Sequence, residues 1–400
     1  MKIGYYFFVF LASAVFLACS DNGNYNDLES DSVSVSVSLK GLSASRATGP
    51  TDVYTKDTKN VESVCINITD VNGKIIVYRQ ISKSTALNSD WVALTESGDG
   101  LKFINVPKSV SKVYVYGNPG EDVVDNVIST DIKKQQGSGV IYYGVDEDLT
   151  PIQNEPIDPN PTSGQTYTAD VSIVPIVARM QIKSISFENT GSFKFSREIN
   201  GVAEEATVSW TGFSAVLKGI YFNNFYFKYN KPGILDDLYQ NTTFQSHITD
   251  GMWLFDRTST MDASDYESYV NYANGVYNDL PLQEADKCYA FNFFPGTAMP
   301  TIHLDLDQIN VTGMTSTNTA VFNPDLVKNA RFANIVKFYK DIDTEMTPAD
   351  FKPGTIYNMD IKVVPMLDND LSNIQYNILI HVTIEPWVEE TIIPDFDFVQ

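Results

Sequence analysis

Ser32-Val33-Ser34-Val35-Ser36-Val37-Ser38-Leu39 alternates a small hydroxyl with a larger apolar side chain at every step. Successive side chains of an extended chain point to opposite faces, so Val33, Val35, Val37 and Leu39 share one face and the serines share the other. The stretch predicts a strand with one buried face, about as long as a full sheet strand. Gly41-Leu42-Ser43-Ala44-Ser45-Arg46-Ala47-Thr48-Gly49-Pro50 follows. This segment is small, polar and turn-rich, with Arg46 as its one basic residue. Proteolytic nicking concentrates in loops of that kind.

Upstream of the strand, residues 1–18 read as an export signal. Lys2 provides a minimal positive start, and Ile3 to Phe16 form a short apolar stretch that ends at Leu17-Ala18-Cys19. An apolar segment this short, closed by small residues, is a cleaved signal rather than a membrane span. Leu17-Ala18-Cys19 resembles the lipobox of bacterial lipoproteins, which implies that Cys19 is lipidated and becomes the first residue after cleavage. Ser20-Asp21-Asn22-Gly23-Asn24 then reads as a polar tether. Cys65 and Cys288 are left over, too few for a disulfide framework, and read as buried small hydrophobes.

Downstream, the 400 residues allow two or three domains. With 28 Lys+Arg against 50 Asp+Glu, the formal net charge of -22 argues against a nucleic-acid partner, because phosphate contacts need a basic face. Short strands alternate with turn signals. Val64 to Ile68 and Lys74 to Tyr78 flank Asp70-Val71-Asn72-Gly73, and Asn72-Gly73 suits a hairpin turn. Lys112 to Asn118, Ala215 to Phe222, Tyr289 to Phe294 and Thr301 to Leu306 are further strands. The proline- and acid-rich residues 144–165 read as a long loop, with a domain boundary placed just beyond it, near residue 170. Short helices are expected only at Ser264 to Tyr272 and Asp325 to Phe332. The expected fold is all-β, two β-sandwich domains in tandem with few short helices.

The last residues include Ile392-Ile393-Pro394-Asp395-Phe396-Asp397-Phe398. A solvated tail rarely ends on two isoleucines and two phenylalanines. It reads either as the last strand of its own sandwich or as a donor strand for a neighbouring molecule, with Pro394 marking a kink or an edge position.

The lipobox, the alternating first strand and the Arg46-Ala47 pair together resemble the fimbrillin family, the type V pilins. Three later segments add to the likeness: Val174 to Ile182, Lys352-Pro353-Gly354-Thr355-Ile356-Tyr357, and Val382-Thr383-Ile384-Glu385-Pro386-Trp387. The resemblance implies transthyretin-like sandwich domains and a lipid-anchored outer-membrane precursor. An arginine-specific protease would cut between Arg46 and Ala47 and remove residues 19–46 with the first strand. Residues 47–170 and 171–400 would form the two domains. The vacancy left by Val33, Val35, Val37 and Leu39 would be filled by a donor strand from residues 388–400, using Ile392, Ile393, Phe396 and Phe398. The partners implied are further pilin subunits added head to tail, anchor and tip pilins, and the processing protease. No cofactor and no metal are implied, and any host or bacterial surface ligand stays open.

Enzymatic readings find little footing. His247, His303 and His381 stand apart in sequence, and the latter two sit in strand patterns that suggest structural roles. Gly212-Phe213-Ser214-Ala215 lacks the second glycine of a nucleophile elbow, and there is no phosphate loop or His-Glu-x-x-His. Asp368-Asn369-Asp370 lacks the glycine and distal glutamate of a calcium-binding EF-hand and reads as an acidic turn. The serious alternative is a surface-exposed glycan-binding lipoprotein, with Tyr221, Phe222, Phe225, Tyr226, Phe227 and Tyr229 as stacking surfaces for sugars.

Overall fold

The computed structural model describes residues 32–39, 54, 61–84, 89–95, 100–135, 137–152, 165–231, 233–240, 288–325, 332–335, 337–339, 344–367 and 375–386. Cys19, Arg46, Ala47, Ile392, Ile393, Phe396 and Phe398 lie outside the described residues, as do the expected helix at 264–272 and the acidic turn at 368–370.

In the N-terminal half the elements are β1 (Ser32–Leu39), β2 (Ser63–Asp70), β3 (Ile75–Ser82), helix α1 (Ser89–Thr95), β4 (Leu101–Pro107), β5 (Val110–Gly117), β6 (Val123–Val124), β7 (Val127–Asp131), β8 (Tyr142–Asp146), β9 (Thr150–Pro151), β10 (Thr166–Val171) and β11 (Val174–Pro175). The C-terminal half adds β12 (Ala178–Phe187), β13 (Gly191–Ile199), β14 (Val202–Trp210), β15 (Gly212–Asn223), β16 (Phe225–Asn230), β17 (Leu235–Tyr239), β18 (Tyr289–Phe293), β19 (Thr301–Thr312), β20 (Thr315–Ser316), β21 (Phe332–Ile335), β22 (Thr355–Leu367) and β23 (Gln375–Pro386). The all-β expectation holds, with α1 the one α-helix among the described residues.

Two sheets make up most of the N-terminal half, in the orders β4-β1-β10-β9 and β11-β8-β5-β2-β3. Val33, Val35 and Val37 of β1 are buried in the same apolar cluster as Ile66 and Ile68 of β2 and Val113 and Val115 of β5. Inward-facing alternate residues of two sheets close such a core between them. The largest sheet runs β15-β19-β21-β23-β22-β12-β18, and a smaller one runs β13-β14-β20. A fifth sheet, β17-β16-β7-β6, draws strands from both halves of the chain, with Tyr229 of β16 paired to Thr130 of β7.

The Asp70–Gly73 turn joins β2 to β3 as the expected hairpin. Only Gly73 takes a positive φ (81°), the Asp70 carbonyl accepts from the Gly73 N–H at 3.0 Å, and the Asp70 carboxylate accepts from the Asn72 and Lys74 N–H groups. The aspartate side chain thus holds a longer loop closed by a glycine bulge. The supposed loop at 144–165 begins inside β8 and contains β9, which pairs with β10. Val174 to Ile182 is shared between two strands: Ile176-Val177 separates β11 from β12, and each lies in a different sheet. Phe332, expected to close a helix, opens β21 instead.

Candidate strand-exchange slot

β1 does not lie at a sheet edge. It is parallel to β10, with Ser34 opposite Thr166 and Leu39 opposite Val171, and antiparallel to β4, with Val37 opposite Leu101 and Val35 opposite Phe103. The Ser34 N–H donates to the Gln165 carbonyl at 3.1 Å, and the Ser38 hydroxyl donates to Asp170 at 3.0 Å. A bulge in β4 between Phe103 and Val106, with Asn105 at φ 57°, brings both of those side chains into the core although they are three residues apart. Taking β1 away would leave β4 and β10 with facing rows of unpaired backbone groups.

The expected apolar face is present: Val33 and Leu39 are 3% exposed, and Val35 and Val37 are fully buried. Four such side chains stabilise the fold by roughly 6–12 kcal/mol. The expected polar face is corrected, because Ser34 and Ser36 are buried as well. β1 is flanked on both sides, α1 packs against it, and Gly100 covers Ser36 closely. Gly100 has φ 68°, and a Cβ there would stand 2.7 Å from the Val37 carbonyl oxygen and 2.9 Å from the Ser36 Oγ.

A second constellation was not foreseen from the sequence. The buried side chains of Arg179 and Gln181, on β12, hold Tyr54. The Gln181 Oε1 accepts from the Tyr54 N–H at 2.6 Å and from Arg179 Nε at 2.9 Å, while Gln181 Nε2 donates to the Tyr54 carbonyl at 2.9 Å and to Asn358 Oδ1 at 2.8 Å. The Arg179 guanidinium lies 3.8 Å from the centre of the Tyr54 ring, and its NH1 donates to Asn292 Oδ1 at 3.2 Å. Tyr54 lies only a short way along the chain from Arg46-Ala47, so this clasp anchors the chain just beyond the expected cut.

Of the stacking surfaces named for the glycan-binding alternative, three are core rings. Phe222, Phe225 and Tyr229 are buried. Phe222 stacks on Phe291 at 5.5 Å with an interplanar angle of 3°, Phe225 packs on Phe227 and Tyr239, and Tyr229 meets Phe294. Phe222, Phe225 and Tyr229 therefore fill core and are not presented to a sugar, whereas Tyr226 and Phe227 are half-buried. The Tyr226 hydroxyl is 2.7 Å from Thr297 Oγ1. The side chain of Tyr221 lies outside the described residues.

His303 is buried, with Nε2 3.0 Å from Thr301 Oγ1, in keeping with a structural role. Cys65 and Cys288 are buried, as expected, and neither is in a disulfide; burial pushes the Cys65 thiol up to about 11. Among the described residues no group of three or more His, Cys, Asp or Glu side chains is placed to hold a metal ion. A cleft of about 420 Å³ opens beside Ser63, Asn118, Glu121 and Lys134, but the Lys134 ammonium is paired with Asp122 at 2.5 Å.

Among solved structures the chain is similar to a candidate cell adhesion protein from Parabacteroides distasonis, at 12% identity over 89% of this chain and 99% of that one, with a TM-score of 0.46. It is similar to a fimbrilin from Porphyromonas gingivalis at 11% identity over 90% of this chain and 99% of that one, with a TM-score of 0.40. It is similar also to the tip fimbrial protein Mfa3 of the same organism, at 10% identity over 89% of this chain and 99% of that one, with a TM-score of 0.40. No protein-family model and no curated protein matches the chain.

Proposed function

We propose that the protein is the precursor of a structural subunit of a cell-surface fimbria, and that it polymerises by protease-triggered strand exchange. The observation that carries this reading is the position of β1 between β4 and β10. The first strand among the described residues fills the middle of a sheet and is followed in sequence by a small, polar segment with a single arginine. While the chain is intact, the tether gives β1 a high effective concentration at its slot, so an incoming strand loses the competition and the precursor stays monomeric. Cutting between Arg46 and Ala47 turns β1 into a separate piece and also frees the body from a lipid at Cys19. The open slot is then a template for strand addition. The apolar residues Ile392, Ile393, Phe396 and Phe398 of another copy offer a replacement for Val33, Val35, Val37 and Leu39. Head-to-tail addition has no closing symmetry and gives a filament. Anchor and tip pilins would begin and end it.

The test is trypsin treatment of the purified precursor, followed by electrophoresis without boiling. Protein trimmed to begin at Ala47 should form a ladder, and removing residues 391–400 should abolish the ladder while the monomer stays folded. Trimmed protein that stays monomeric at every concentration would overturn the reading.

A further inference from the structure

We infer that the slot reads its occupant on both faces, and that the close approach of Gly100 makes the position of Ser36 a size filter that favours serine over anything larger. The inference deepens the strand-exchange reading and rests on it only where a second strand is concerned. Three observations carry it. Ser34 and Ser36 are buried, at 0% and 6% exposure, whereas the flanking Ser32 and Ser38 of the same face are only half-buried. The Gly100 backbone lies so close to Ser36 that a single added carbon would meet its hydroxyl oxygen at 2.9 Å. The same carbon would meet the Val37 carbonyl oxygen at 2.7 Å, so the backbone of position 100 is packed directly against β1 with no room for a side chain between them.

An ordinary half-buried strand asks only for apolar residues on one face and tolerates any polar residue on the other. This slot asks for large apolar residues alternating with small ones, which is what Ser-Val repetition supplies. The tail is different. With Phe396 and Phe398 facing the core, Asp395 and Asp397 fall on the face of Ser34 and Ser36. A carboxylate is larger than a serine hydroxyl and carries a charge that burial penalises. The native tail is therefore a poorer fit to the slot than β1 on this face, which keeps β1 in place until it is cut.

The filter is tested first in the intact precursor, without any second strand. Ser36→Leu should lower the urea midpoint clearly, Ser36→Ala should leave it nearly unchanged, and Ser38→Leu should leave it nearly unchanged too. An unchanged midpoint for Ser36→Leu, or an equal loss for Ser38→Leu, overturns the filter. The second arm uses precursor trimmed at Arg46 and freed of β1, titrated with synthetic peptides of residues 388–400. The peptide carrying Asp395→Ser and Asp397→Ser should bind about tenfold or more tightly than the native peptide, equivalent to about 1.4 kcal/mol. Equal affinities overturn the filter. If neither peptide binds, the strand-exchange reading fails, and the precursor midpoints still decide the filter by themselves.

Discussion

The side-chain amide of Gln181 grips the backbone of Tyr54 from both sides, accepting from its N–H at 2.6 Å and donating to its carbonyl at 2.9 Å. With Arg179 and Asn358 as its other two partners, every hydrogen-bonding position of that amide is in use in the core. Gln181→Leu keeps the volume and removes all four bonds. Each buried group left unpaired costs about 1–3 kcal/mol, so the variant should lose roughly 3 kcal/mol or more. Urea denaturation checks this, and a midpoint equal to that of the unchanged protein would show that the clasp carries no stability.

The four apolar residues of β1 stabilise the precursor and not what remains after the cut. Val35→Ala and Val37→Ala together remove four buried methyl groups, which should cost the precursor about 3 kcal/mol before any cavity contribution. Once trypsin has cut at Arg46 and β1 has been separated, the same pair of changes should have no effect. Urea midpoints of the two forms decide it. An equal loss in both would mean that β1 never leaves its slot.

How much of this could be read in advance differs from element to element. Val33 to Leu39 was legible as a strand because its period of two is strict, and the strand at Val64 to Ile68 was legible for the same reason together with a turn signal. The neighbours of β1 were not legible. β10 pairs with it in parallel across the whole of β2 to β9, and nothing local encodes so distant a partner. Arg179 and Gln181 alternate with Ala178, Met180 and Ile182, a pattern that reads as a strand with one wet face. Both faces of β12 are in fact covered, the polar one by Tyr54, Asn292 and Asn358. Which rings of the aromatic run from Tyr221 to Tyr229 enter the core was not legible, because composition does not reveal which sheet a strand will pack upon. Burial of Ser34 and Ser36 was hidden in the same way, since small residues suit both a solvated face and a tightly covered one.

Gly191 offers a separate check of packing far from the slot. A Cβ there would stand 2.5 Å from the indole ring of Trp210, whose Nε1 donates to the Glu188 carbonyl at 2.7 Å. Gly191→Ala must push the ring aside or break that bond, an overpacking change that should cost about 1–3 kcal/mol. A shift in tryptophan emission should accompany the fall in the urea midpoint. Unchanged emission and midpoint would mean that the β13–β14 hairpin yields freely at this point.

Alkaline pH should destabilise the fold through buried acids that it keeps protonated. Burial raises the Cys65 thiol from an ordinary value of 9.0 to about 11, and burial likewise raises the Tyr143 and Tyr357 hydroxyls from 10.0 to about 12. As pH rises past 9, the unfolded chain releases the Cys65 proton while the folded chain retains it. The unfolded state then binds fewer protons, and stability must fall with pH. Below pH 9 both states hold the proton and the group contributes no slope. Between about 9 and 11 it removes at most ~1.4 kcal/mol per pH unit, and the two tyrosines extend the loss from 10 to 12. Urea midpoints measured at pH 8, 9, 10 and 11 should therefore decline with increasing steepness. In Cys65→Ala the decline between pH 9 and 10 should be shallower, because the first group to titrate is gone. Parallel profiles for the two proteins would mean that the Cys65 thiol ionises as readily in the fold as in the unfolded chain.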